Sequence, residues 1–121
     1  MTADERTVRE LFAALDAGHA PRALDLLTED VRFQFCSAEP VVGHEAVAAN
    51  GAAMATTVTA LSHDLHTVWA VDDAVICEMA VTYTRHDGSR LTLPCLNVFR
   101  LRRGRIADYR IYMDVNPVFA P

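Results

Sequence analysis

From residue 61 onward the chain alternates strand-like runs with tight-turn signals. "HDLHTVWAV", "AVICEMAVTYT", "RLTLPCLNVFRL" and "RIADYRIYMD" are separated by "DD", "HDGS" and "RRG". Aspartate and glycine at hairpin spacing between alternating runs predict four consecutive antiparallel strands. Pro94 lies inside the third run, and a residue without an N–H implies an edge position or a bulge there. Asn116 and Pro117 end the last strand. One face of such a sheet must be covered, so the first half of the chain has to supply the cover.

That half reads as helical. Thr2 with Glu5 three residues on makes a capping box, Gly18 makes a stop, and Val8, Leu11, Phe12 and Leu15 fall on one helical face between them. A short second helix is predicted from Pro21 through Leu24 and Leu27, since proline suits a first turn. "VRFQF" (31–35) alternates as a half-buried strand. After "EPVVG", the alanine-rich run from His44 to about Val58 predicts a third helix, weakened in its middle by Asn50 and Gly51. With no linker, repeat or low-complexity segment, residues 1–121 read as one α+β domain, helices first and a curved sheet afterwards.

Composition narrows the partners. A net charge of −5 opposes a nucleic-acid surface, which needs clustered positive charge. All eleven positive side chains are arginine, and four of them (Arg100, Arg102, Arg103 and Arg105) flank Gly104 as a solvated hairpin tip would. The opening "MTADERTVRE" is charged and helical, unlike a signal peptide, and no apolar run approaches the roughly 20 residues that cross a bilayer. Cys36, Cys77 and Cys95 are widely spaced, which suggests reduced, buried thiols in a cytoplasmic protein. His63 and His66 are three apart and would point to opposite faces of a strand, so they make no zinc pair. No phosphate loop, dinucleotide fingerprint or serine elbow is present, and no cofactor is expected.

The order helix–helix–strand–helix–four strands, "GHEAV" opening the third helix, and the tail "VFRLRRGRIADYRIYMD" resemble the SnoaL-like branch of the nuclear transport factor 2-like superfamily. The resemblance covers almost the whole chain. It implies a cone-shaped fold whose sheet curls around the third helix, with one strand face lining an apolar chamber and the other often pairing two subunits. Following the resemblance, Phe33, Phe35, Glu78, Ala80, Thr82, Leu93, Cys95, Asn97, Tyr109, Ile111 and Met113 are assigned to the chamber; alternation supports each set internally, and a one-residue slip would invert it.

Known chemistries of that superfamily do not map onto this register. Ketosteroid isomerases use an Asp base, a Tyr and a protonated Asp; Phe35, Leu11 and Asn97 stand at those places. Limonene epoxide hydrolase-like members use an Asp–Arg–Asp set with a Tyr and an Asn; Ala80, Glu78, Ile111, Phe33 and Phe35 stand there. SnoaL-like cyclases carry an acid where this chain has Ile111.

Several polar residues remain candidates. Glu78, alone in "AVICEMAV", would be desolvated on the chamber side, which raises a carboxyl pKa and suits a general acid or base; pairing with an arginine or exposure at an edge is its structural alternative. Asn97 in "CLNVF" must satisfy its amide within the protein or on a ligand. Tyr109 offers a hydroxyl on an apolar body, a group used more often in packing. Of the two histidines, His63 is preferred as the inward one, because its parity carries Leu65 and Trp69. Asp114 can act in the site, cap a turn, pair with Arg110 or meet a partner subunit. Cys95 needs an adjacent base to become a nucleophile, so it reads as a small core residue. His44 belongs to a helix start and His86 to a turn.

The resulting expectation is a cofactor-independent acid–base enzyme acting on a small hydrophobic carbonyl, enol or epoxide, of isomerase, cyclase, dehydratase or hydrolase type. Glu78, Asn97, His63, Tyr109 and Asp114 are its candidate catalytic residues. Phe33, Phe35, Thr82, Leu93, Cys95, Ile111 and Met113 are its candidate ligand contacts. The chain is expected to bind a small hydrophobic molecule, no nucleic acid, no membrane and no metal, and to form a homodimer through the sheet face. The alternative is a non-catalytic binding or dimerisation module.

Overall fold

A computed structural model describes all 121 residues. Helix α1 spans Ala3–Asp16, α2 Ala20–Asp25 and β1 Leu27–Phe35, followed by β2 (Val41–Val42) and α3 (His44–Met54). The hairpin series is β3 (Val58–Val71), β4 (Ala74–Arg85), β5 (Arg90–Arg102) and β6 (Arg105–Tyr112), and α4 covers Asn116–Phe119. The strands form one sheet in the order β2-β1-β6-β5-β4-β3. Every junction is antiparallel except β1 with β6, which run parallel. The architecture is α+β, with the N-terminal helices against a mixed, mostly antiparallel sheet. No helix is long and apolar enough to cross a membrane.

Local chemistry sets the boundaries. Thr2 accepts a hydrogen bond from the Glu5 N–H at 3.0 Å, capping α1, and Gly18 at φ +71° turns the chain after it. Helix α2 ends at Asp25, so Leu27 begins a strand rather than ending a helix. Helix α3 stops at Met54, short of Val58. Two elements escape the sequence: β2, within "EPVVG", and α4, where Asn116 and Pro117 open a helical turn. Arg103 and Gly104 both take positive φ in the β5–β6 turn, the backbone that matches strand twist in a two-residue hairpin. Pro94 sits on the interior strand β5, but pairing with β6 ends at Leu96, so at Pro94 only β4 lies alongside.

The covered face is finished unevenly. Helix α1 packs on β3, β4 and β6, and Val8, Leu11 and Phe12 join Val75, Cys77, Phe99, Leu101 and Ile106 in the buried core. The resemblance implies a sheet wrapped around α3; here α1 fills that place. Helix α3 buries no residue and touches only β1, β2 and α2 to any extent, because five of its eleven residues are alanine and one is glycine, leaving little area to bury. It is tied at both ends by imidazoles: His44 Nε2 lies 3.1 Å from the Leu27 carbonyl oxygen and His86 Nε2 3.0 Å from that of Ala55. Phe35, Leu61, Leu91, Leu93, Ile111 and Met113 are consequently left half-buried.

Candidate functional site

The end of α1 meets the inner face of β3 at an ionisable pair. His63 Nδ1 lies 2.6 Å from Asp16 Oδ1, and the His63 backbone N–H donates to Asp16 Oδ2 at 3.0 Å. Both carboxylate oxygens are thus engaged by one residue, which fixes the ring as well as the main chain. The His63 side chain is 9% exposed, and Phe12 packs against it with ring centroids 4.7 Å apart. Burial pushes the imidazole below its ordinary value of 6.5, and the Asp16 carboxylate opposes that shift without cancelling it. At neutral pH the ring is therefore neutral, with Nδ1–H on Asp16 and a lone pair on Nε2.

A second polar group lies on β5 and β6. Asn97 pairs across with Ile111, and Phe99 with Tyr109, while β1 sets Phe33 beside Tyr109 and Phe35 beside Ile111. Phe99 and Tyr109 ring centroids are 4.7 Å apart, and those of Phe33 and Tyr109 5.0 Å. Phe12 reaches Phe99 at 5.7 Å, so two aromatic rings stand between His63 and Tyr109. Asn97 is 1% exposed, and its Oδ1 accepts from the Cys95 thiol at 3.2 Å. Burial pushes the Cys95 and Cys77 thiols up to about 12 and the Tyr109 phenol up as well, so all three stay protonated and neutral. Tyr83, on the same face, donates to Met113 Sδ at 3.4 Å.

Not all of these polar atoms are satisfied within the protein. Thr28 Oγ1 is the one side-chain nitrogen or oxygen that is both sealed from solvent and without a partner. Asn97 Nδ2, Tyr109 Oη and His63 Nε2 make no hydrogen bond within the protein, so each retains contact with solvent.

Three chamber assignments are corrected on β4. Glu78, Ala80 and Thr82 point away from the helices, and the inward positions are Val75, Cys77, Met79, Val81 and Tyr83. Glu78 stands in solvent, and Thr82 Oγ1 meets Thr92 Oγ1 at 2.9 Å on that outer face. The register slip explains the error: Glu78 parity is shared with Thr82 and Thr84, the polar side of the strand. Pairing Glu78 and Ala80 with the hydrolase positions inherits the same slip. Glu78 does border a concavity of about 570 Å³ on the outer face, together with His66, Pro94, Leu96 and Tyr112.

The other candidates fall as follows. Phe33, Phe35, Leu93, Cys95, Asn97, Tyr109, Ile111 and Met113 share the helix side of the sheet. His63 faces inward with Leu65, but a bulge between Leu65 and Thr67 inverts the rest of β3, leaving Trp69 exposed on the outer side. His66 is exposed, 3.3 Å from Asp64. Asp114 is exposed and accepts from the Asn116 N–H at 3.0 Å, capping the turn into α4, and Arg110 pairs with Asp108 at 2.9 Å instead. Arg102 pairs with Asp30 at 2.6 Å beside the exposed hairpin tip. Asp16 was not legible as a site residue, because nothing local connects it to a histidine 47 positions away.

Chemically, the inward positions of β4, β5 and β6 carry no carboxylate. The helix side offers one neutral base on a carboxylate support, one amide and one phenol, all against apolar walls. The imidazole can accept a proton, and the amide and phenol, on the far side of the Phe12 and Phe99 rings, can donate hydrogen bonds to an oxygen.

Comparison with known proteins is consistent on fold. The family model of the SnoaL-like domain matches residues 8–109. An NTF2-like protein of unknown function from Burkholderia pseudomallei superposes with a TM-score of 0.90 at 21% identity, over 98% of this chain and 96% of that one. A putative polyketide cyclase from Xanthomonas campestris gives 0.88 at 22% identity, over 95% and 93%. An epoxide hydrolase of LEH-like type from M. tuberculosis gives 0.82 at 22% identity, over 97% and 86%. At these identities the likeness shows the shared fold. No curated protein matches the chain.

Proposed function

The chain belongs to the SnoaL-like domain family, and within it we propose a cofactor-independent acid–base enzyme for a small hydrophobic carbonyl, enol or epoxide compound. The observation that carries this reading is the Asp16–His63 pair, held at 2.6 and 3.0 Å with Nε2 free. Asp16 keeps the proton on Nδ1, so Nε2 presents its lone pair to a C–H beside a carbonyl or to a water. Positive charge that develops on the ring is stabilised by the carboxylate. Asn97 Nδ2 and Tyr109 Oη, beyond the Phe12 and Phe99 rings, donate to an oxygen farther along the substrate and orient it. Phe33, Phe35, Leu93, Ile111 and Met113 exclude water, which strengthens those contacts. Similarity to a putative polyketide cyclase and an epoxide hydrolase supports the substrate class without choosing the reaction.

The test is proton exchange at carbon. Small aryl ketones incubated with the protein in deuterated water should gain deuterium beside the carbonyl, and epoxides should open. His63→Gln should lower either conversion by about 100-fold or more while leaving binding near wild type. The absence of inward carboxylates on β4–β6 favours the second reading, a non-catalytic binding module. Tight binding without exchange or ring opening by the wild-type chain would establish it. In either case a second copy is proposed to cover the outer face, where Trp69, Val71 and Tyr112 are exposed; sedimentation of a Trp69→Glu variant as a monomer beside a dimeric parent would support that.

A further inference from the structure

We infer that Cys95 is a positioning residue: its thiol fixes which way round the Asn97 amide sits, so that the site accepts ligands through a carbonyl or enolate oxygen. Cys95 and Asn97 are two apart on β5 and therefore share the inner face. The thiol donates to Asn97 Oδ1 at 3.2 Å, and burial keeps it protonated, so it is a donor throughout the neutral range. With Oδ1 occupied, the two amide protons are what Asn97 presents. Asn97 is only 1% exposed, yet Nδ2 has no acceptor in the protein and is not sealed. A buried amide left with free donors is completed by an acceptor from outside.

Nothing else on the flanking inward positions can substitute. Cys77 and Ile111 lie directly across from Asn97, and Phe99 follows it. Cys77 is a thiol held protonated by burial, and the other two side chains are apolar. The polar wall thus presents donors from Asn97 and Tyr109 and no carboxylate. A carbonyl or enolate oxygen fits it, whereas an apolar isostere leaves Nδ2 unsatisfied. This inference rests on the proposed carbonyl-binding role of the site, and its test separates the two.

The S–H stretching band of Cys95, isolated by subtracting the spectrum of Cys95→Ala, should lie at the lowered frequency of a thiol bonded to a carbonyl. A band at the frequency of a free thiol overturns the inference and leaves the proposed function intact. The ligand arm uses 2-acetylnaphthalene and its hydrocarbon isostere 2-isopropenylnaphthalene. Cys95→Ala should lower the ketone-over-alkene preference by roughly five- to tenfold, the worth of one hydrogen bond, and Cys95→Ser, whose hydroxyl can donate to the same oxygen, should restore it. An unchanged preference in Cys95→Ala, or no rescue by serine, overturns the positioning role. Failure of the wild-type chain to bind either probe, with the S–H band lowered, overturns the ligand class here and the proposed function together.

Discussion

Val75, Phe99, Leu101 and Ile106 are sealed beneath α1, whereas Leu91, Leu93, Ile111 and Met113, on neighbouring positions of β5 and β6 and just beyond, stay half-exposed. The strands are continuous through both regions, so strand sequence does not cause the difference. The cover does. Helix α1 brings Val8, Leu11 and Phe12; α3 brings mainly alanines and a glycine. The boundary crosses the sheet between buried Asn97 and half-buried Ile111 on one rung, and between buried Val81 and half-buried Leu93 on another. The polar atoms available to a ligand sit on that seam and beside it. One end of the face holds the fold together, and the other is left free to bind.

Substitution in the two ends should therefore separate stability from binding. Phe99→Ala should cost about 3–5 kcal/mol in urea unfolding, the range for a buried aromatic, while Leu93→Ala should cost roughly 1 kcal/mol because its site is already open. Equal losses would erase the distinction. Next in size is His63→Gln, expected to lower turnover of an identified substrate by about 100-fold or more, as for loss of a general base, with a near-parental unfolding midpoint.

Acid should act at the same place. The folded chain holds His63 below 6.5, so it binds that proton less readily than the unfolded chain does. Stability is accordingly level above pH 6.5 and falls as pH drops from 6.5 through the lower folded-state value. Asp16→Asn removes the carboxylate that raises the imidazole, so NMR titration should show the His63 value moving further down. An upward move would break the pairing.

How much was legible in the sequence follows the same division. Hairpin turns and alternation located β3 to β6, and the Thr2 cap located α1, because each depends on neighbours along the chain. Strand β4 misled because both of its parities are largely apolar and Glu78 draws attention as the sole charge in "AVICEMAV". Thr82 and Thr84 share its parity, and that polar run marks the solvent side. The bulge at His66 and the reach of Asp16 to β3 depend on tertiary packing and leave no local mark.

Two smaller changes sharpen the contrast. A methyl group placed on the Gly51 Cα would meet nothing within 4 Å, so Gly51→Ala should stabilise α3 by about 0.5–1 kcal/mol; a loss would mean that α3 packs more tightly than its exposure indicates. Glu78→Gln, on the outer face, should stay within roughly 0.5 kcal/mol of the parent and leave ligand affinity unchanged. A change in affinity would move the site across the sheet.

The parallel ladder between β1 and β6 bears on how the chain is made. Strand β1 is synthesised early but finds its main neighbour only when the final strand emerges from the ribosome, so this non-local pairing is an intrinsically slow step. Until then β1 and β5 both present open hydrogen-bonding edges, the kind that recruit strands from other chains. A polypeptide released before Arg105 would carry that hazard permanently and is expected to aggregate rather than give a smaller folded product.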